Sequence, residues 1–154
     1  MTPISVLLVD DEHDFIDSLA ERLRRRDIAV ACSYSGRDAL RRLGKDNAID
    51  IVIVDMGMPY PDGLAVLATI RQKYPLIEVI MLTGDATVHS AVAAIKLGAF
   101  DYLLKPCAIE DLLAKTELAQ ARRQQRQEKI LDVRMKPFIS AQDRAELIAK
   151  ILAD

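Results

Sequence analysis

The chain has 154 residues, 51% of them hydrophobic, enough for one domain with a buried core and a short appendage. A net charge of -2 with 29% charged residues gives no basic field for nucleic acid or acidic membranes, and two cysteines, Cys32 and Cys107, make neither a disulfide framework nor a zinc cluster. The sequence has no basic N-terminal region followed by an apolar segment and no run approaching a membrane span, so the expectation is a soluble, cytoplasmic protein with reduced thiols.

Residues 4–9, Ile-Ser-Val-Leu-Leu-Val, read as a first strand that stops at Asp10, Asp11 and Glu12. Phe15, Leu19 and Leu23, with Ile16 and Ala20 beside them, then share one face of a helix that ends in the solvated run Arg24 to Arg26. Ile28 to Cys32 is a short second strand. A second helix opens at Ser35-Gly36, keeps Ala39, Leu40 and Leu43 inside, and is closed by Gly44 as a C-cap.

Residues 51–54 are four β-branched residues in succession, the habit of a central strand covered on both faces. Asp55 ends that strand at the edge where α/β sheets hold their ligands, and Gly57 and Pro59 turn the chain outward. After a turn at Pro61-Asp62-Gly63, a third helix carries Leu64, Val66, Leu67 and Ile70 and must finish before Pro75. Ile77 to Leu82 forms a fourth strand ending at Thr83-Gly84-Asp85. An alanine-rich helix runs from about Thr87 to Leu97 and stops at Gly98. Asp101 to Leu104 is a fifth strand, with Lys105-Pro106 at its end.

Strand and helix thus alternate five times, the pattern of a doubly wound parallel α/β fold. A strand order 2-1-3-4-5 would open a crevice between strands one and three, where Asp10, Asp11 and Asp55 converge. Three neighbouring carboxylates must take up a proton or share a cation. Oxygen ligands without His or Cys select Mg²⁺ or a similar ion such as Mn²⁺. The Thr83 hydroxyl and the Lys105 ammonium belong to the same edge. A metal, a lysine and a hydroxyl around an aspartate suit phosphoryl transfer, with Asp55 as the nucleophile. Lys105-Pro106 suggests a cis peptide aiming the ammonium inward. His13 and His89 read as surface helix residues.

Residues 1 to about 120 resemble the receiver domain of bacterial two-component response regulators. The resemblance rests on five segments in order: Leu-Val-Asp10-Asp11-Glu, Asp55-Met-Gly57-Met-Pro, Tyr-Pro-Asp-Gly63, Leu-Thr83-Gly, and Tyr102-Leu-Leu-Lys105-Pro106. It implies a flavodoxin-like fold and an aspartyl phosphate on Asp55, received from a sensor histidine kinase or a phosphotransfer protein. It further implies that Asp11 binds Mg²⁺ directly, Asp10 through water, and Gly57 through its carbonyl. Thr83 and Lys105 would hold the phosphoryl oxygens, and Thr83 and Tyr102 would switch the face of helix four, strand five and helix five. For Tyr102 the competing reading is a half-buried packing residue. Gly57 and Asp85 fall at the positions that tune phosphoryl lifetime in this family. Met81 to Lys105 resembles nitrogen-regulator-type receivers, so a receiver cut from a longer transcription regulator stands as an alternative.

Past residue 120 the sequence predicts an extension. Residues 119–129 are almost wholly polar, as in an exposed helix projecting from the domain, and Lys136-Pro137 breaks it. A short amphipathic helix follows over 141–153, opened by Ser140 and Asp143 in a capping-box arrangement, with Leu147, Ile148, Ile151 and Leu152 as its stripe. That stripe needs a surface: its own receiver, a second copy, or a kinase. A homodimer through helix four, strand five and helix five, or through the C-terminal helices, is the related expectation. The basic excess over 122–136 suits a solvated helix or an acidic partner, and nothing supports DNA binding. A phosphorylation-independent dimerising scaffold is the reading from another class. A metal-dependent phosphatase is disfavoured because Gly57 stands where its second acid would be.

Overall fold

The computed structural model describes residues 3–84 and 87–154. It contains five strands, β1 (Ser5–Val9), β2 (Ala29–Ser33), β3 (Ile51–Val54), β4 (Glu78–Thr83) and β5 (Asp101–Leu104). They form one parallel sheet in the order β2-β1-β3-β4-β5. Six helices accompany them: α1 (His13–Arg24), α2 (Gly36–Leu43), α3 (Gly63–Lys73), α4 (Val88–Lys96), α5 (Ile109–Arg134) and α6 (Ala141–Ala153).

Side chains alternate across a strand, so each central strand feeds two cores. Leu7, Val9, Val52, Val54, Val79 and Met81 meet Ala39, Leu43, Val66, Leu67, Ile70 and Ala94 of α2, α3 and α4. Val6, Leu8, Ile51, Ile53, Ile80 and Leu82 meet Ile16, Leu19, Ala20 and Leu23 of α1 and Ile109, Leu112 and Ala119 of α5. The unbroken apolar runs of β1 and β3 follow from this double coverage.

Caps set several boundaries. The Ser35, Asp62 and Ser140 side chains each accept the third backbone N–H of the helix that follows, and Thr87 and Ser90 form a reciprocal box at the start of α4. The expected C-cap at Gly44 takes another form. Gly44 keeps a right-handed φ of -69°, because the amides of Lys45 and Asp46 both turn back to the Arg42 carbonyl and continue the helical sense. The left-handed glycine is Gly98, at φ +100°, where an added Cβ would stand 2.8 Å from Arg71 Nε.

The prediction of a projecting polar helix also needs correction. Helix α5 is continuous to Arg134, yet Ala119, Arg126, Ile130 and Val133 are buried at helical spacing along its length. Polarity misled because the residues it buries include an arginine with an acidic partner. Glu78, only 1% exposed at the start of β4, accepts a hydrogen bond from Arg126 at 3.0 Å and lies 3.2 Å from Arg122. Arg123 meets Asp50 at 3.3 Å. The acidic partner for the basic stretch is therefore this chain's own sheet. Helix α6 folds back against α5, and both Arg71 and Arg126 donate to the Leu152 carbonyl, at 3.0 and 2.9 Å. Arg122 donates to the Asp154 carbonyl. Cations at a helix C-terminus also favour the helix dipole. Within the chain α6 packs on α5, with Ile148, Ile151 and Leu152 of its apolar stripe half-buried and Leu147 exposed.

Candidate functional site

Parallel register brings the C-terminal ends of β1, β3, β4 and β5 to one edge. Val9 pairs with Val54 and Thr83 with Leu104, so Asp10, Asp55 and Lys105 each follow a strand end directly. Backbone bonds fix them: the Asp10 amide donates to the Ser33 carbonyl, the Asp55 amide to Val9 and the Lys105 amide to Thr83. Carboxylate oxygens of Asp10, Asp11 and Asp55 lie within 4.8 Å of one another, the one such cluster of metal-binding side chains among the described residues. Asp10 and Asp55 are buried, at 3% and 7% exposure, while Asp11 is open to solvent.

Lys105 Nζ reaches into this group, 2.6 Å from Asp10 Oδ2 and 3.7 Å from Asp55 Oδ1, with Glu12 at 3.4 Å on the outer side. It also lies 4.4 Å from the centre of the Phe15 ring. Burial pushes the Asp10 carboxyl above the ordinary carboxylate range, against the pull of the Lys105 hydrogen bond and the Glu12 amide. Burial also draws the Lys105 ammonium down. The Asp10 hydrogen bond and the charges of Asp10, Asp55 and Glu12 outweigh it and leave the ammonium above its usual value. A lysine that holds its proton amid three acids is a fixed positive charge.

A divalent cation fits the donor set. Three carboxylates share one small space, one lysine leaves them with net negative charge, and no sulfur or imidazole competes in the cluster. Gly57 is exposed, and a Cβ added there would stand 3.4 Å from Asp55 Oδ2. Thr83 is 2% exposed at the end of β4. Asp85, the other position singled out for phosphoryl lifetime, lies outside the described residues. The Lys105–Pro106 and Tyr60–Pro61 peptides are both cis, the second without a sequence expectation.

Tyr102 is half-buried beside the α2, α3 and α4 core, and its hydroxyl lies 3.2 Å from Ser90 Oγ in the first turn of α4. The side chain is thereby joined to the cap of the neighbouring helix. His13 stacks on Tyr34 with ring centroids 3.9 Å apart, and His89 is exposed on α4.

Two contributors were not legible as site residues. Phe15 has the spacing of a core residue, and only the fold places its ring against Lys105. Gly63 reads as a turn residue, yet it is the first residue of α3 and presses on the strand end. An added Cβ would lie 2.4 Å from the Asp55 carbonyl oxygen and 2.7 Å from Met56 Cα. We expect Gly63→Ala to destabilise the domain by about 1–3 kcal/mol, measured by urea unfolding, because backbone rather than a flexible side chain must give way. An unchanged unfolding midpoint would show that the loop before α3 yields freely.

The comparisons with known proteins cover this same region. Residues 6–117 match the response regulator receiver domain family. The transcriptional regulatory protein ZraR of Escherichia coli (strain K12) is 38% identical over 118 residues, 77% of this chain and 26% of that protein. PrrA of Mycobacterium tuberculosis is 34% identical over 123 residues, 80% of this chain and 52% of that protein. A putative NtrX-like response regulator of Rickettsia bellii is 37% identical over 108 residues, covering 69% and 22%. The chain thus spans between about a fifth and about half of the length of these relatives. Among solved structures, a receiver domain protein from Clostridium thermocellum superposes with a TM-score of 0.76 at 33% identity, covering 79% of this chain and 98% of that one. NtrX of Brucella abortus gives 0.75 at 30%, covering 86% and 29%. No helix among the described residues is long and apolar enough to cross a membrane. The matched span begins in β1, ends in α5 and takes in every strand end that builds the acidic pocket, so the chain belongs to the response regulator receiver domain family of two-component signalling.

Proposed function

We propose that Asp55 is a phosphoacceptor, taking a phosphoryl group from a sensor histidine kinase or a phosphotransfer protein in the cytoplasm. The observation that carries this reading is the convergence of three carboxylates and one charged lysine on a single strand-end edge. An Asp55 carboxylate oxygen attacks phosphorus, the phosphorus–nitrogen bond of the donor phosphohistidine breaks, and the imidazole leaves with that electron pair. Asp11, Asp10, Asp55 and the Gly57 carbonyl would hold Mg²⁺ or Mn²⁺, which supplies charge neutralisation on the transferring oxygens. Lys105 contributes a fixed cation beside Asp55, and the Thr83 hydroxyl is placed to receive a phosphoryl oxygen.

Phosphorylation then selects between two arrangements of Thr83 and Tyr102. The Tyr102–Ser90 contact supports this, because a move of the ring away from Ser90 alters the first turn of α4 directly. The surface that responds is that of α4, β5 and α5, which exposes Ile95, Leu97, Leu104 and Leu118 and suits partner binding or self-association. We assign residues 1–120 to the receiver and 121–154 to a helical extension seated on it. Direct nucleic-acid or membrane binding has no support in the surface charge. Two other readings are a piece of a longer transcription regulator, in line with the short share of the relatives it spans, and a phosphorylation-independent scaffold.

The test is phosphate-affinity electrophoresis after incubation with acetyl phosphate and Mg²⁺. The expected result is a retarded band for the wild type that is lost in Asp55→Asn and on chelation of the metal. No retarded band in the wild type, with donor and metal in excess, would overturn the phosphoacceptor reading in favour of the scaffold.

A further inference from the structure

Helix α6 spans the base of the sheet, at the opposite end from Asp55, without filling the space beneath it. None of its residues is fully buried. Its C-terminal end is held by Arg71 and Arg126 through the Leu152 carbonyl, and its other end by the turn from α5. Between α6 and the sheet lies a cleft of about 350 Å³. Leu43, Ile49 and Ile77 form its floor, and Ile130, Ile148 and Leu152 its wall and roof. Facing apolar side chains across an open gap forfeit dispersion contacts that a fitting apolar body would restore. The size and the lining are those of small-molecule sites: mostly apolar, with a few convergent polar groups.

Those polar groups are Asp46, Asn47, Tyr74, Arg123 and Arg134, and the two arginines are its cations. Arg123 lines the cleft, and although its Nη1 meets Asp50 and Gln127, its Nε is buried with no hydrogen-bond partner. Arg134 lines it too and makes no ion pair among the described residues. Asp46 stands at the rim, with its Oδ1 accepting the Ala48 amide. A buried donor lacking an acceptor and an unpaired guanidinium beside an apolar slot call for a ligand with an apolar body and an anionic head.

We propose that this cleft is a binding site for an amphipathic anion, an aliphatic carboxylate, with the chain between Ile49 and Ile148 and the carboxylate at Arg134 and Arg123. It is separate from the phosphoryl site in both position and chemistry. A ligand there also bridges α6 to the sheet, so its binding favours the docked extension.

The experiment is an amide-shift titration of the full chain by NMR, with decanoate kept below its micelle concentration and decyltrimethylammonium as a cation of equal chain length. Decanoate is expected to give saturable shifts at Ile49, Ile77, Ile130 and Ile148, and the cation none there. Arg134→Glu should weaken decanoate about tenfold, since a paired charge becomes a repelling one. Ile49→Trp should abolish the shifts by filling the slot. Both variants should still be phosphorylated on Asp55 by acetyl phosphate as in wild type, which shows that they are folded. Equal binding of both amphiphiles, an unchanged affinity in Arg134→Glu, or no saturable shift at the cleft would each overturn the proposal.

Discussion

Arg126→Met is expected to lower the unfolding free energy by about 3 kcal/mol in urea denaturation, whereas Glu78→Leu/Arg126→Met should recover most of that loss. Glu78 is 1% exposed and Arg126 4%, so each charge has given up its water. Burial is the largest influence on both, pushing the Glu78 carboxyl up and the Arg126 guanidinium down despite their hydrogen bond. Removing Arg126 alone leaves a buried carboxylate with Arg122 as its nearest cation, off the hydrogen-bond line at 3.2 Å. Removing both leaves an apolar pair in a closed space. The carbonyls of Pro75 and Leu152 keep a donor in either variant, because Arg71 bonds to both of them. A double variant as unstable as the sum of the singles would show that the pair contributes net attraction rather than mutual compensation.

The second large effect concerns Lys105. Lys105→Met should slow Asp55 phosphorylation by acetyl phosphate by roughly 10²-fold, as when one preorganised cationic donor is removed from a charged transition state. The ammonium stands 2.6 Å from Asp10 and 3.7 Å from Asp55, so its loss also leaves the three carboxylates to repel one another. Apparent Mg²⁺ affinity should rise as phosphorylation falls, because Asp10 is no longer held by the lysine. Metal titration followed by tyrosine fluorescence would measure this. Arginine should not rescue the rate, since its planar fork does not reproduce a compact charge in that space. Phe15→Leu is expected to produce a smaller loss, about two- to fivefold, because the ring steadies the ammonium without touching the reacting atoms. A Lys105→Met protein that is phosphorylated at the wild-type rate would remove the lysine from the chemistry and leave it a structural partner of Asp10.

Much of this molecule is determined by local pattern. Four β-branched residues ahead of Asp55, two acids after Val9 and a lysine after Leu104 follow from the periodicity of a doubly wound sheet, in which each strand end is a fixed station. Given the order 2-1-3-4-5, the three carboxylates and the lysine have no choice but to meet. The starts of α2, α4 and α6 were legible too, because Ser35, Thr87 and Ser140 act within three residues of themselves, whereas Asp62 read as a turn residue and caps α3.

What tertiary structure alone decided depends on partners distant in the chain. Phe15 has the same spacing whether it faces the core or a lysine 90 residues later. Gly63 becomes indispensable only when the first turn of α3 is laid against the Asp55 carbonyl. Arg126 looked like solvent-facing polarity because its counterion, Glu78, lies 48 residues away at the opposite end of a strand from the acidic pocket. A pattern of polar residues records that charges are present, and it cannot record that they neutralise one another inside. The seat of α6 follows from that pairing: once arginines are buried at the base of the sheet, the carbonyl end of a short helix becomes the acceptor that satisfies them.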